Sequence, residues 1–176
     1  MGRDKASLAA GDSTLLEHLV HRLAFAVDEV LVAGGARTEI AGVRWVADAL
    51  PGAGPLAGMA AGLRAAAAPS AWVLACDLPD AEPNLGQLLF RALDAYDAAV
   101  PRPQGRVEGT CAVYRTDLAP RIEALLEEGG RSVLALLERL RVRYLEADEV
   151  RTVDADLRSF RNLNTPEDYA RWLSER

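Results

Sequence analysis

Residues 13–26 carry Leu15, Leu16, Leu19, Val20 and Leu23 at helical spacing, which predicts an amphipathic helix. Thr14 and Glu17 stand three apart at its start, the spacing of a capping box. Val30-Leu31-Val32-Ala33 is short, apolar and partly β-branched, so it reads as a buried strand closed by Gly34-Gly35. A weaker strand over 43–46 leads into Asp48, and Pro51-Gly52-Ala53-Gly54-Pro55 is a loop that opens a helix through Leu56, Met59, Ala60, Leu63 and Ala67. The run 71–76, Ala-Trp-Val-Leu-Ala-Cys, is the strongest strand signal, and Asp77 follows it directly.

Asn84 is the expected cap of a helix carrying Leu85, Leu88, Leu89 and Leu93. Strands are expected at 98–100, 110–114 and 142–145, and helices at 118–128 and 132–140. Thr165-Pro166 starts a last helix with a cap and a first-turn proline. Continuous apolar strands alternating with amphipathic helices predict one α/β domain over residues 1–176, with a mainly parallel sheet covered on both faces.

Composition narrows the function classes. The length of 176 residues suits one domain, and half the residues are hydrophobic with 26% charged. A formal net charge of −6 argues against nucleic-acid binding through a basic face. Cys76 and Cys111 lie in apolar runs and read as reduced packing residues, not a disulfide framework. Neither a signal-peptide h-region nor a bilayer-length apolar run is visible, so the chain reads as cytoplasmic.

In open α/β sheets ligands bind beyond the carboxyl ends of the strands, which directs attention to Asp48 and Asp77. A carboxylate after a buried strand suits Mg²⁺, which takes one or two carboxylates plus substrate phosphates. Asp77 capping the next turn is the structural alternative. Met1-Gly2-Arg3-Asp4-Lys5 places an ammonium just ahead of a helix, where it could reach phosphate, although most lysines are solvated surface groups. His18 and His21 suit packing or surface roles better than metal ligation. Arg102, Arg106 and Arg131 could hold an anionic second substrate, and Asn162 and Asn164 would point the same way from an extended segment.

The ordered set of segments resembles the molybdenum cofactor guanylyltransferase family. It comprises Met1-Gly2-Arg3-Asp4-Lys5, Gly54-Pro55-Leu56-Ala57-Gly58, Cys76-Asp77-Leu78-Pro79, Gly105-Arg106-Val107-Glu108, Gly130-Arg131-Ser132 and Asn162-Leu163-Asn164-Thr165-Pro166-Glu167. The resemblance implies a Rossmann-like nucleotidyltransferase fold and transfer of GMP from GTP to the phosphate of molybdopterin, with Mg²⁺ as cofactor. By resemblance, Lys5 and Asp77 are catalytic and Asp77 holds the metal. Lys5, Asp48, Gly54, Pro55, Leu56 and Asp77 form the nucleotide side in the N-terminal half. Arg106, Arg131, Asn162 and Asn164 receive the acceptor in the C-terminal half. Cofactor-biosynthesis proteins and recipient molybdoenzymes are possible partners in such a role; nucleic acid and membranes are not.

Two departures accompany the match. Ala33 stands where the family often has Asn, and the family's strand and Leu-Ala-Gly-Gly turn ahead of Met-Gly-x-Asp-Lys are missing. That strand lies inside the family's sheet, so we expect about 15–20 further residues upstream in the natural protein, enough for one strand and a turn. A sister nucleotidyltransferase using CTP or another acceptor, and an inactive cofactor-binding protein, are the competing readings.

Overall fold

The computed structural model describes residues 5–35, 39–48, 50 and 52–175; Met1-Gly2-Arg3-Asp4 and Pro51 of the segments above lie outside them. A short hairpin, β1 (Ala9–Ala10) with β2 (Ser13–Thr14), leads into α1 (Leu15–Leu23). The predicted capping box forms: Glu17 N–H donates to Thr14 Oγ1 at 3.2 Å, and the Glu17 carboxylate accepts from Thr14 N–H at 2.7 Å. Strands β3 (Val30–Ala33) and β4 (Val43–Val46) then pair in parallel as a two-stranded sheet. Helix α2 (Pro55–Ala65) packs against both and also against β5 (Ser70–Leu74). Its cap, Gly54, has φ 82°, ψ −170°, a conformation that glycine adopts freely.

The larger sheet has the order β5-β7-β6-β8, with β6 at Ala98–Arg102, β7 at Cys111–Arg115 and β8 at Val142–Glu146. β6 and β8 run parallel, and β7 lies antiparallel between β5 and β6, so β5, β6 and β8 share one direction. The protein is therefore mixed α/β with a mainly parallel sheet carrying one reversed strand.

Alternation along the central strands sorts the core into two layers. Ala98, Val100, Ala112 and Tyr114 face α2, α4 (Ala119–Glu127) and α5 (Val133–Leu137). Ala99, Cys111 and Val113 face Leu85, Leu89 and Leu93 of α3 (Pro83–Leu93) and Val150 of α6 (Ala147–Arg151). Both central strands are buried on both faces, which explains their unbroken apolar runs. Helix α7 (Pro166–Ser174) also starts on a capping box, in which Asp168 N–H donates to Thr165 Oγ1 at 3.0 Å.

One cap differs from expectation. Pro83 and Asn84 are the first residues of α3, and Glu82 is the cap, without a side-chain hydrogen bond. Proline's fixed φ suits the first helical position, so the boundary moves one residue ahead of it. No helix among the described residues is long and apolar enough to cross a membrane.

Candidate active site

Beyond β5 the chain turns sharply, with Leu78 N–H on Ala75 O at 3.3 Å and Leu78 itself buried. This turn presents Asp77. The segment ahead of α7 is fastened to it: Leu163 N–H donates to Asp77 O at 3.0 Å, and the Leu163 side chain is fully buried. An alternating extended segment with its middle residue buried leaves its flanking asparagines on the other side.

Lys5 arrives from the opposite end of the chain. Its Nζ donates to Asp77 Oδ2 at 2.9 Å and to Asn164 Oδ1 at 3.0 Å. Three predicted site residues, separated by up to 159 positions, thus meet at one point. The Lys5 and Asp77 side chains keep 27% and 20% of their exposure, so the cluster is reachable from solvent. The ammonium here stands in for a cation, held between an anionic carboxylate oxygen and a neutral amide oxygen. Hard oxygen donors of that kind fit Mg²⁺. Asp77 and Asn164 are the residues that could hold it.

Other predicted residues make local contacts of their own. Asp48 follows β4; its Oδ1 accepts from Leu50 N–H at 2.8 Å, and its side chain lies across from Gly34 at the end of β3. The Gly54-Pro55-Leu56 segment starts α2, with Leu56 fully buried. A β-carbon on Gly54 would sit 3.7 Å from Arg131 O, so this loop lies against the Gly130-Arg131-Ser132 turn. Arg131 Nη1 itself donates to Leu126 O and Gly130 O, both at 2.8 Å, at the carboxyl end of α4. Arg106 Nε lies 3.1 Å from Glu108 Oε1.

Glu108, to which the sequence reading gave no role, is the buried acid beside the cluster. Its side chain is 9% exposed. Leu74 pairs with Cys111 in the antiparallel β5–β7 ladder, and Ala75 N–H continues the register onto Thr110 O at 2.8 Å. The turn that ends this ladder, with Cys111 N–H on Glu108 O at 3.0 Å, leaves Glu108 close enough to Asp77 for the two charges to interact. Burial pushes the Glu108 carboxyl above the usual carboxylate range; Arg106 opposes this, and the charge of Asp77 adds to it. The reversed strand is the signal that would have found this acid, and residue periodicity does not report strand direction.

His18 has a packing environment, with Nε2 3.2 Å from Pro79 O and its ring edge-on to Trp172 at 5.3 Å. Cys111 is buried in the core, where burial pushes its thiol far up and keeps it unreactive.

The chain is similar to known proteins over most of its length. The MobA-like NTP transferase domain model matches residues 1–144. A protein of Methanosarcina mazei named "Probable molybdenum cofactor guanylyltransferase" is 35% identical over 179 residues, covering 94% of this chain and 80% of its own length. A Mycobacterium tuberculosis protein of the same name is 39% identical over 173 residues, covering 94% and 83%. Molybdopterin-guanine dinucleotide biosynthesis protein A from Archaeoglobus fulgidus superposes with a TM-score of 0.82 at 27% identity, over 99% of this chain and 91% of that one. With Lys5, Asp77 and Asn164 gathered at the carboxyl end of β5, the chain belongs to the MobA-like NTP transferase family and is a nucleotidyltransferase.

Proposed function

We propose that this nucleotidyltransferase moves GMP from GTP to the terminal phosphate of molybdopterin, giving the guanine dinucleotide and pyrophosphate. The observation that carries the reading is the convergence of Lys5, Asp77 and Asn164 on one cation-sized point. The names of the relatives supply the substrates. Residues 1–176 act as one domain, with GTP along the N-terminal half beside Asp48 and Gly54-Pro55-Leu56. The acceptor lies toward Arg106, Asn162, Asn164 and the remaining N–H groups of Arg131.

Asp77 and Asn164 would hold Mg²⁺, whose chemistry when bound is to neutralise phosphate oxygens. Lys5, whose ammonium sits at the same cluster, would offset charge on the triphosphate. The acceptor phosphate oxygen bonds to the α-phosphorus as the bond to pyrophosphate breaks. A phosphate nucleophile is already anionic, so no general base is required, and positioning and charge stabilisation carry the catalysis.

Purified protein given GTP, Mg²⁺ and molybdopterin should release pyrophosphate, with CTP a poor substitute. No pyrophosphate from GTP removes the reading, and faster release from CTP replaces it with cytidylyl transfer. Asp77→Ala should abolish turnover while leaving the fold intact.

A further inference from the structure

A cavity of about 610 Å³ opens beside Glu108, the acid whose carboxyl feels the charge of Asp77. One wall is the turn after β6, contributing Gln104, Arg106 and Glu108; the other is the loop after α6, contributing Arg158, Phe160 and Arg161. The volume lies in the range of small-molecule sites.

Both walls are built firmly. Glu108 N–H donates to Pro101 O and Cys111 N–H to Glu108 O, each at 3.0 Å. The buried Tyr114 hydroxyl donates to Gly109 O at 2.7 Å. Opposite, the buried Asp154 carboxylate accepts from Arg158 N–H and Ser159 N–H, both at 2.9 Å. Ser159 Oγ in turn accepts from Glu82 N–H at 3.0 Å. Gln104 and Leu157 both line the cavity with positive φ, at 55° and 56°. Asp94 is the third such non-glycine residue among those described. Strained backbone of this kind persists where the surroundings over-determine it, and it gathers at functional sites.

The lining chemistry selects a ligand. Three guanidinium groups line the cavity, and each has a carboxylate partner: Arg106 with Glu108, Arg158 with Asp156, and Arg161 with Glu175 and Asp80. Asp156 is paired with Arg158 at 3.1 Å near the rim, where both side chains are well exposed. Glu108 is different, being an acid buried on the cavity wall. A carboxylate offers about four lone-pair sites, and Arg106 Nε addresses one oxygen. That leaves capacity for a planar group presenting two parallel N–H donors. Phe160 adds an aromatic surface.

We propose that this cavity is the acceptor's pterin pocket, in which Glu108 accepts the paired N–H groups of the 2-amino and N3 positions. Arg106, whose side chain is 72% exposed, has donors beyond its contact with Glu108 for the acceptor's anionic part. This rests on molybdopterin being the acceptor, and it makes Glu108 the residue that distinguishes a 2-amino pteridine from a 2-oxo one.

The test uses 6-carboxypterin and 6-carboxylumazine, which differ at position 2, titrated against the full-length protein by fluorescence. The wild-type protein should bind the pterin about tenfold or more tightly than the lumazine, because a buried acceptor left unpaired is costly. Glu108→Gln and Glu108→Asp should narrow that ratio while leaving GTP affinity unchanged. Equal binding of the two probes by the wild-type protein, or no pterin binding, overturns the proposal without any variant having to fold. An undiminished ratio in folded Glu108→Gln overturns it as well. If Glu108 governs the ratio but molybdopterin yields no pyrophosphate, the pocket stands and the guanylyl-transfer reading falls. If molybdopterin turns over with an unchanged KM in Glu108→Gln, the reverse holds.

Discussion

Gly86 in α3 presents its bare backbone to the indole of Trp72 on β5: a β-carbon built there would lie 2.5 Å from Cε3 and 2.6 Å from Cζ3. Helix propensity alone favours Gly86→Ala by about 1 kcal/mol. A rigid ring inside a packed core cannot yield by that much, and overpacking costs about 1–3 kcal/mol or more. Gly86→Ala should therefore lower the denaturant midpoint with little change in slope, and an unchanged or raised midpoint would contradict this packing.

Lys5 separates stability from chemistry. Its ion pair with Asp77 is partly exposed, so Lys5→Met should cost at most about 1 kcal/mol of stability. Turnover should fall about a hundredfold or more, because an ammonium beside developing phosphate charge acts where solvent is partly excluded. Pyrophosphate release and a thermal melt on the same sample check both halves.

Tyr114→Phe removes the hydroxyl that holds Gly109 O. Losing that bond should cost about 1–3 kcal/mol, since the carbonyl is left unsatisfied in a buried site. On the pocket proposal the variant should also raise the KM for the acceptor more than that for GTP, which steady-state kinetics can read.

Two acids give the stability–pH curve opposite slopes. Asp97 accepts from Arg141 N–H at 2.8 Å, and that bond, with help from the Arg141 and Arg121 charges, holds its carboxyl below the usual range. Its contribution is complete above about pH 4 and is lost as pH falls further, so Asp97→Asn should flatten the acid limb. Glu108 is raised by burial, so the folded state holds its proton longer and stability declines as pH rises from about 4 through the raised value. Glu108→Gln should then be more stable than the wild-type protein at neutral pH, as expected where a functional group is kept at the expense of stability. Denaturation at several pH values tests both slopes.

What the sequence made legible was local. Thr14 with Glu17, and Thr165 with Pro166, announce helix starts because the partners lie within one turn. Strands at 30–33 and 98–100 follow from apolar runs set between turn residues, although only the second is buried and the first, expected to be, is half-buried beside a single partner strand. The family resemblance joined Lys5 with Asp77 but set Asn164 on the acceptor side; its meeting with them comes from the fold, since no local pattern links residues that far apart. Glu108 stayed unassigned because its neighbour is set by the reversed β7. Arg158 and Arg161 lie in a segment whose charge pattern resembles any exposed loop; what places them at a cavity is the Asp154 cap, a relationship of burial. Asn84 failed as a cap because the proline before it already occupies the first helical position.

The bond from Leu163 N–H to Asp77 O ties the approach to α7 directly to the turn that carries Asp77. Trp172 Nε1 adds a second tie, on Asp80 Oδ1 at 2.9 Å, and Tyr169 a third, on Ala9 O. Anything that binds between Lys5, Asp77 and Asn164 must therefore also hold the last helix in place, and the docking of that helix must favour binding by an equal free energy. The terminal helix is then a gauge of site occupancy. Its amide protons should exchange more slowly with GTP and Mg²⁺ present, so occupancy can be read from amides in α7 that touch no substrate.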